Sequence, residues 1–247
     1  MNEVHLFGIG VKKRSNARSF RRPAKSIALS TMLCLVSGMA LAGGKPCPEP
    51  ELEDSVMYAV FNSTDVDAQL ILAGGLEDGL TKVEITGPGG MVDIDAEFED
   101  GRNIGQADFQ FDTPEPSLAE LMRAYPAGQY RFSATTTSHC TLRSSVKLSY
   151  RLLPAPVIAF PTEDSYGVSA AGFTALWEEI PDAEAVRLAV EEEESSIALV
   201  VDLPGDTTSF DVPATFLKPG ILYTMDVIAI ADNGNQTVSD VQFTTVP

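Results

Sequence analysis

Histidine, cysteine and tryptophan are scarce in this chain, and the scarcity excludes several chemistries. Its 247 residues include two histidines, three cysteines and one tryptophan. His5 sits in a basic leader, which leaves His139 as the only imidazole beyond it. A Ser-His-Asp or Cys-His site would have to use that residue. In Ser138-His139-Cys140 it has no suitable neighbour, since adjacent strand residues point to opposite faces, and a turn or surface histidine is the plainer reading. A lone histidine excludes multi-histidine zinc sites, and two cysteines beyond the leader cannot build a structural zinc cluster. No glycine-rich loop follows a strand and opens a helix, so nucleotide binding has no support. No 3.6-residue apolar periodicity runs long enough to indicate a helical fold.

Basic residues are the next shortage. The chain has 17 Lys and Arg against 35 Asp and Glu. Seven of the cations, Lys12, Lys13, Arg14, Arg18, Arg21, Arg22 and Lys25, crowd into the first 25 residues. Ser26 to Ala42 then carries no charge and ends in Ala40-Leu41-Ala42, the small-x-small pattern of a signal-peptidase site. The expectation is a signal peptide over 1–42, of bacterial type. The alternative is an uncleaved anchor, although five Ser, Thr and Gly residues dilute the stretch below the ~20 apolar residues a span requires. Arg21-Arg22 hints at twin-arginine export, but Pro23-Ala24 fits the general secretory route better. Thr31-Met32-Leu33 before Cys34 makes a poor lipobox.

Beyond residue 42 there remain 10 basic and 34 acidic residues, a net charge of −24. Such a chain repels nucleic acid and anionic membrane surfaces and keeps itself soluble. Cys47 and Cys140 form an even pair that invites a disulfide in an oxidising compartment. A free Cys140 or an intermolecular link through Cys47 are the alternatives.

The 205 residues after the leader suit one large domain or two small ones. Leu152-Leu153-Pro154-Ala155-Pro156 marks the break, because two prolines exclude helix and weaken sheet pairing. The expected organisation is a tail over 43–52, one domain over 53–153 and a second over 154–247. The second parses into seven short strands: 157–160, 173–177, 185–190, 196–202, 209–212, 223–231 and 238–244. Turn formers fill the gaps, among them Gly167, Pro181-Asp182 and Asn233-Gly234, and seven such strands predict a sandwich. Leu217-Lys218-Pro219-Gly220-Ile221-Leu222-Tyr223 carries a Pro-Gly corner that delivers a tyrosine to a late strand, the tyrosine corner of immunoglobulin-like sandwiches.

Trp177, the Pro181-Asp182 turn, the corner with Leu217, Pro219, Gly220 and Tyr223, and the closing Phe243-Thr244-Thr245 together resemble a fibronectin type III domain over about 154–247. The resemblance implies that Trp177 and Tyr223 both belong to the sandwich core. Leu188 stands where that family often has a tyrosine. The family's Arg-Gly-Asp loop is absent, so integrin binding is not implied.

The first domain reads as a diverged relative. Strands are expected over 55–62, 68–73, 81–86, 91–98 and 105–111, with Gly87-Pro88-Gly89-Gly90 turning the third into the fourth. The fourth alternates Val92, Ile94, Ala96 and Phe98 with Asp93, Asp95, Glu97 and Glu99. Ser117-Leu118-Ala119-Glu120 is a capping box and predicts a helix over 118–124, stopped by Tyr125 before Pro126. Pro126-Ala127-Gly128-Gln129-Tyr130 repeats the Pro-Gly-Tyr theme, and a last strand spans 140–150. The fold class is all-β: two tandem immunoglobulin-like sandwiches, with a short helix inserted in the first.

Carboxylates are plentiful but spread out. Glu178-Glu179 beside Trp177 would suit glycoside hydrolysis with the indole as a sugar platform; the competing reading has Trp177 in the core and the glutamates in its exit loop. Asp93, Asp95 and Glu97 are weak calcium candidates, lying along one strand face without the order of an EF-hand. Asn62-Ser63-Thr64 and Asn235-Gln236-Thr237 are sequons. No catalytic residue and no cofactor is expected. The leading expectation is an exported, non-catalytic binding or spacer module whose partner is another exported protein or a surface polysaccharide. The alternatives are a carbohydrate-active hydrolase or its accessory subunit, and a calcium-stabilised structural protein.

Overall fold

The computed structural model describes residues 47, 52, 55–90, 93–98, 105–192, 195 and 197–247. The expected signal peptide over 1–42, and Val92, Glu99 and Asp100 of the acidic strand, lie outside the described residues. Fourteen strands and one helix make up the described chain, and no described helix is long and apolar enough to cross a membrane.

The first half is built on β1 (Val56–Asn62) and β2 (Asp67–Thr86), which pair antiparallel from Asn62↔Asp67 to Val56↔Ala73. The sequence reading divided β2 into two strands, 68–73 and 81–86. It is instead one strand of 20 residues. Gly74, Gly75 and Gly79, which fall between the two expected strands, let one strand serve two layers. Its first part lies between β1 and β4 (Gln106–Asp112). Its second part lies between β3 (Asp93–Glu97) and β5 (Gly128–Thr136), and β5 then pairs with β6 (Thr141–Leu148). At the bend Gly79 has φ +79°, and a Cβ on Gly105 would stand 2.5 Å from the Gly79 carbonyl carbon. Only glycine tolerates that backbone-to-backbone approach.

Between the layers lie Leu70, Leu72, Leu80, Val83, Ile85, Phe109, Tyr130 and Phe132, all buried. Phe109 on β4 meets Phe132 on β5 with ring centroids 6.3 Å apart, so the two layers touch through aromatic contacts. The helix α1 (Leu118–Ala124) forms where expected. Glu120 N–H donates to Ser117 Oγ, and the Glu120 carboxylate accepts from Ser117 N–H, completing the capping box. Leu121 is its buried residue and anchors it to this core.

The second half is a two-layer sandwich. One layer is β12 (Ser209–Pro213), β9 (Gly172–Trp177) and β7 (Ile158–Phe160) in that order. The other runs β11 (Ile197–Pro204), β10 (Ala185–Glu192), β13 (Leu222–Ile230) and β14 (Gln236–Val246). Strict alternation explains the core. On β10, Val186, Leu188 and Val190 point inward, and on β13 Tyr223, Met225, Val227 and Ala229 do the same. Trp177 and Phe243 complete the interior. The strand β8 (Ser165–Ser169) was not anticipated, because Gly167 read as a turn former; it pairs in parallel with the end of β14.

The two sandwiches share a sheet. β1 lies parallel to the start of β14, pairing Val60↔Gln236, Phe61↔Thr237 and Asn62↔Val238. Eleven strands thus form one connected sheet through both halves, while each half keeps its own core. Tandem sandwiches were expected; a shared hydrogen-bonded ladder between them was not.

Candidate functional site

Four of the five residues expected to be structural, Leu217, Pro219, Gly220 and Tyr223, form one corner leading into β13, while Trp177 lies at the far end of β9. Gly220 has φ +76°, which a side chain would resist. It turns the chain after Pro219 so that Tyr223 enters β13 pointing inward. The Tyr223 ring is fully buried and stacks on Phe243 at 5.6 Å. Its hydroxyl accepts the Lys218 N–H at 3.0 Å, tying down the loop as a tyrosine corner should. Leu217 packs under the corner. Lys218 Nζ donates to both oxygens of Glu192, at 2.8 and 3.1 Å, and so compensates the one buried glutamate of the described chain. That contact holds the Glu192 carboxyl below its usual range and raises the Lys218 amine.

The first sandwich has a corner of its own. Tyr130 is fully buried and its hydroxyl donates to the Pro126 carbonyl at 3.0 Å, four residues upstream. Burial, with Tyr125 adding to it, pushes the Tyr130 phenol up to about 12. Tyr150 donates to the Tyr125 carbonyl at 2.7 Å and closes the loop from the other side.

At the junction, Asn235 joins the halves. It is 2% exposed; its Oδ1 accepts the Ala59 N–H at 3.0 Å, and its Nδ2 donates to the Ser149 carbonyl at 2.7 Å. Thr237 Oγ1 donates to the Leu153 carbonyl, and Asn233 Nδ2 to Ser149 Oγ. Arg151 pairs with Asp232 beside them. Ser149, Arg151 and Leu153, which lead into the expected break, are therefore bonded to the β13–β14 turn and the start of β14. Asn235 read only as a sequon, and its burial leaves no room for a glycan in the folded chain. Nearby, burial and then the charges of Asp65 and Asp240 raise the Asp67 carboxyl above its ordinary value. Among the described residues Asp240 Oδ1 is itself buried without a hydrogen-bond partner.

The calcium candidates Asp93, Asp95 and Glu97 occupy alternate, exposed positions of β3. Lys82 Nζ sits between Asp95, at 3.0 Å, and Glu84, at 2.9 Å, and these contacts raise the lysine's pKa. The carboxylates are spread along a strand and one is already paired. Among the described residues no three His, Cys, Asp or Glu side chains converge as a metal site would need. On the same outer face runs a shallow groove bordered by Glu84, Asp93, Arg131, Ser133, Arg143 and Ser145. Cross-strand register orders it as Glu84, Ser133, Arg143 in one row and Asp93, Thr86, Arg131, Ser145 in the next. Sequence reasoning missed this face because its residues come from four strands.

Cys47 and Cys140 are joined in a disulfide, with Cα atoms 5.6 Å apart, so Cys47 is fastened to the start of β6. His139 beside it is exposed in a turn at φ +62°. Trp177 is 3% exposed and its indole N–H donates to the Thr207 carbonyl at 2.7 Å. Glu178 and Glu179 are exposed beyond it. A sugar platform needs an open indole face, and this one is inside the sandwich.

No family model matches the sequence, and no curated relative matches it. Among solved structures the neighbours are fibronectin type III domains. The fn3 domain of human collagen alpha-1(XX) is 20% identical over 37% of this chain and 78% of its own, with a TM-score of 0.30. The FN1–FN3 domains of chicken CNTN1 are 15% identical over 79% of this chain and 68% of theirs, at 0.33. The fibronectin(III)-like modules of Clostridium thermocellum CbhA are 11% identical over 79% and 93%, also at 0.33. The architecture itself rests on the strand order and the two cores described above.

Proposed function

We propose that this protein is an exported, non-catalytic module that binds a partner while holding two sandwiches, 53–153 and 154–247, at fixed separation. The observation that carries this reading is the shared ladder between β1 and β14, reinforced by buried Asn235. A flexible tether between sandwiches needs no such ladder; a spacer does. The buried Trp177 indole weighs against the carbohydrate-active alternative, and the Lys82 pairing weighs against the calcium-stabilised one. Cys47 paired with Cys140 suits an oxidising compartment, in keeping with export to the periplasm or exterior. The partner on this reading is another exported protein or a surface polysaccharide.

The test is chemical cross-linking of the full chain in its source cell, followed by fractionation and recovery of adducts. A reproducible adduct in the exported fraction is expected. Recovery of only the uncrosslinked chain, or of the chain in the cytoplasm, removes the reading.

A further inference from the structure

The eleven-stranded sheet ends at β11, and that edge carries little of the protection seen at β3, β6, β7 and β12. β11 is eight residues long and, among the described residues, pairs only with β10. In an antiparallel pair every second residue turns both its N–H and its C=O away from the partner. The free side of β11 therefore offers a row of unpaired backbone donors and acceptors. Proteins blunt such edges with charge, proline, bulges, brevity or a cover, and the one proline of β11, Pro204, is its last residue. β3 carries alternating acids, β7 and β12 are three and five residues long, and β6 bears Arg143 and Lys147 with Leu52 N–H bonded to the Arg143 carbonyl. β11 begins Ile197-Ala198-Leu199-Val200-Val201 without a charge. Its only charged residue, Asp202, is held by Arg187 through two hydrogen bonds at 2.6 and 3.2 Å. Ile197 and Val200 are 52% and 37% exposed, and the register with β10 contains no bulge.

We infer that β11 is a docking edge that takes up an extended apolar segment of a partner protein, flanked at both ends by lysine or arginine, as an added strand. Strand addition draws affinity from main-chain hydrogen bonds and selectivity from alternate side chains. The flanks choose the occupant. Glu191, on β10 opposite Ala198, lies near one end of the edge, and exposed Glu184 and Asp206 stand near the other. A second copy of this chain would set acid against acid in either direction, on a background of −24 beyond the leader. A basic-flanked strand meets opposite charge at both ends. This inference rests on the binding reading above and specifies where the partner sits.

The experiment measures amide hydrogen exchange of the full chain with a synthetic peptide of alternating valine and threonine bearing paired lysines at both ends. Binding that weakens with salt is expected, with new protection confined to alternate amides within 197–203. Val200→Lys is expected to weaken binding about five- to tenfold through one lost apolar pair and a like-charge contact. Met122→Lys on α1 leaves binding unchanged and shows that an added lysine alone has no effect. Absence of binding, protection outside β11, or equal binding of a glutamate-flanked peptide each overturns the inference. So does a dimer in sedimentation whose β11 amides are protected without peptide, since a second copy then fills the edge. If Val200→Lys keeps the cross-linked adduct of the wild-type chain, the binding reading stands and the edge inference falls. If neither chain yields an adduct, the reading itself falls.

Discussion

The side-chain oxygen of Asn235 accepts the main-chain N–H of Ala59 at 3.0 Å, across 176 positions of sequence. The same amide donates to the Ser149 and Arg151 carbonyls, so one buried side chain on the β13–β14 turn satisfies backbone groups of β1 and of the segment after β6. Asn235→Ala leaves a buried donor and a buried acceptor unpaired. A loss of about 2–6 kcal/mol is expected, from roughly 1–3 kcal/mol for each of the two orphaned groups. Calorimetry should show the wild-type transition splitting or broadening as the sandwiches uncouple; an unchanged single transition contradicts the role given to Asn235.

The corner tyrosines are expected to contribute through both ring and hydroxyl. Tyr223→Phe removes the acceptor of the Lys218 N–H and should cost about 1 kcal/mol, while Tyr223→Ala opens a cavity and should cost about 3–5 kcal/mol. Denaturant unfolding separates the two, and equal losses would mean the hydroxyl bond matters as much as the ring.

Tyr130 gives a pH signature. Its folded pKa, about 12, lies above the ordinary phenol value near 10. The preference of the fold for the neutral phenol is therefore complete below about pH 10 and is lost as pH rises through 12. Tyr130→Phe should be less stable at neutral pH yet lose less stability than wild type over that alkaline interval.

Asp67 behaves in the opposite sense from a paired carboxylate. Its folded pKa is raised, so the charged form is disfavoured in the folded chain once pH exceeds the folded value. Asp67→Asn should stabilise at pH 7 by about a few tenths of a kcal/mol, allowing for its exposure. That gain should disappear below about pH 4, where the wild-type carboxyl is already neutral. A gain independent of pH would point to packing rather than charge.

Reduction of Cys47–Cys140 releases a loop with a sequence separation of 93. The chain-entropy model puts its contribution at about 4–5 kcal/mol. Melting with and without reductant, with Cys47→Ser as the control, measures it; identical melting temperatures would dispose of that figure.

Local signals were legible in the sequence, and long-range ones were not. The capping box placed α1 to the residue, and alternation placed β10 and β13, because each depends on neighbours within a few positions. The tyrosine corner was readable because Gly220 and Tyr223 lie in one turn. β2 was read as two strands, 68–73 and 81–86, with Gly74, Gly75 and Gly79 between them, whereas pairing with β4 and β5 keeps the strand continuous. β8 exists through its parallel pairing with β14, some 75 residues away in sequence, and its own residues alternate too little to reveal it. The β1–β14 ladder and the Asn235 bridge were invisible for the same reason. Their partners are fixed only once both sandwiches have closed.

The covalent link between Cys47 and Cys140 also determines how the chain would carry tension. Pulling on a point before Cys47 transmits load through the sulfur atoms straight to the start of β6, bypassing everything threaded between them. β1 to β5 then bear no stretch, and single-molecule extension should show a contour shorter by that loop. With the thiols free, the same pull runs along β1 against its parallel neighbour β14, loading their shared rungs together in shear. The redox state of two atoms thus selects which half of the molecule yields first.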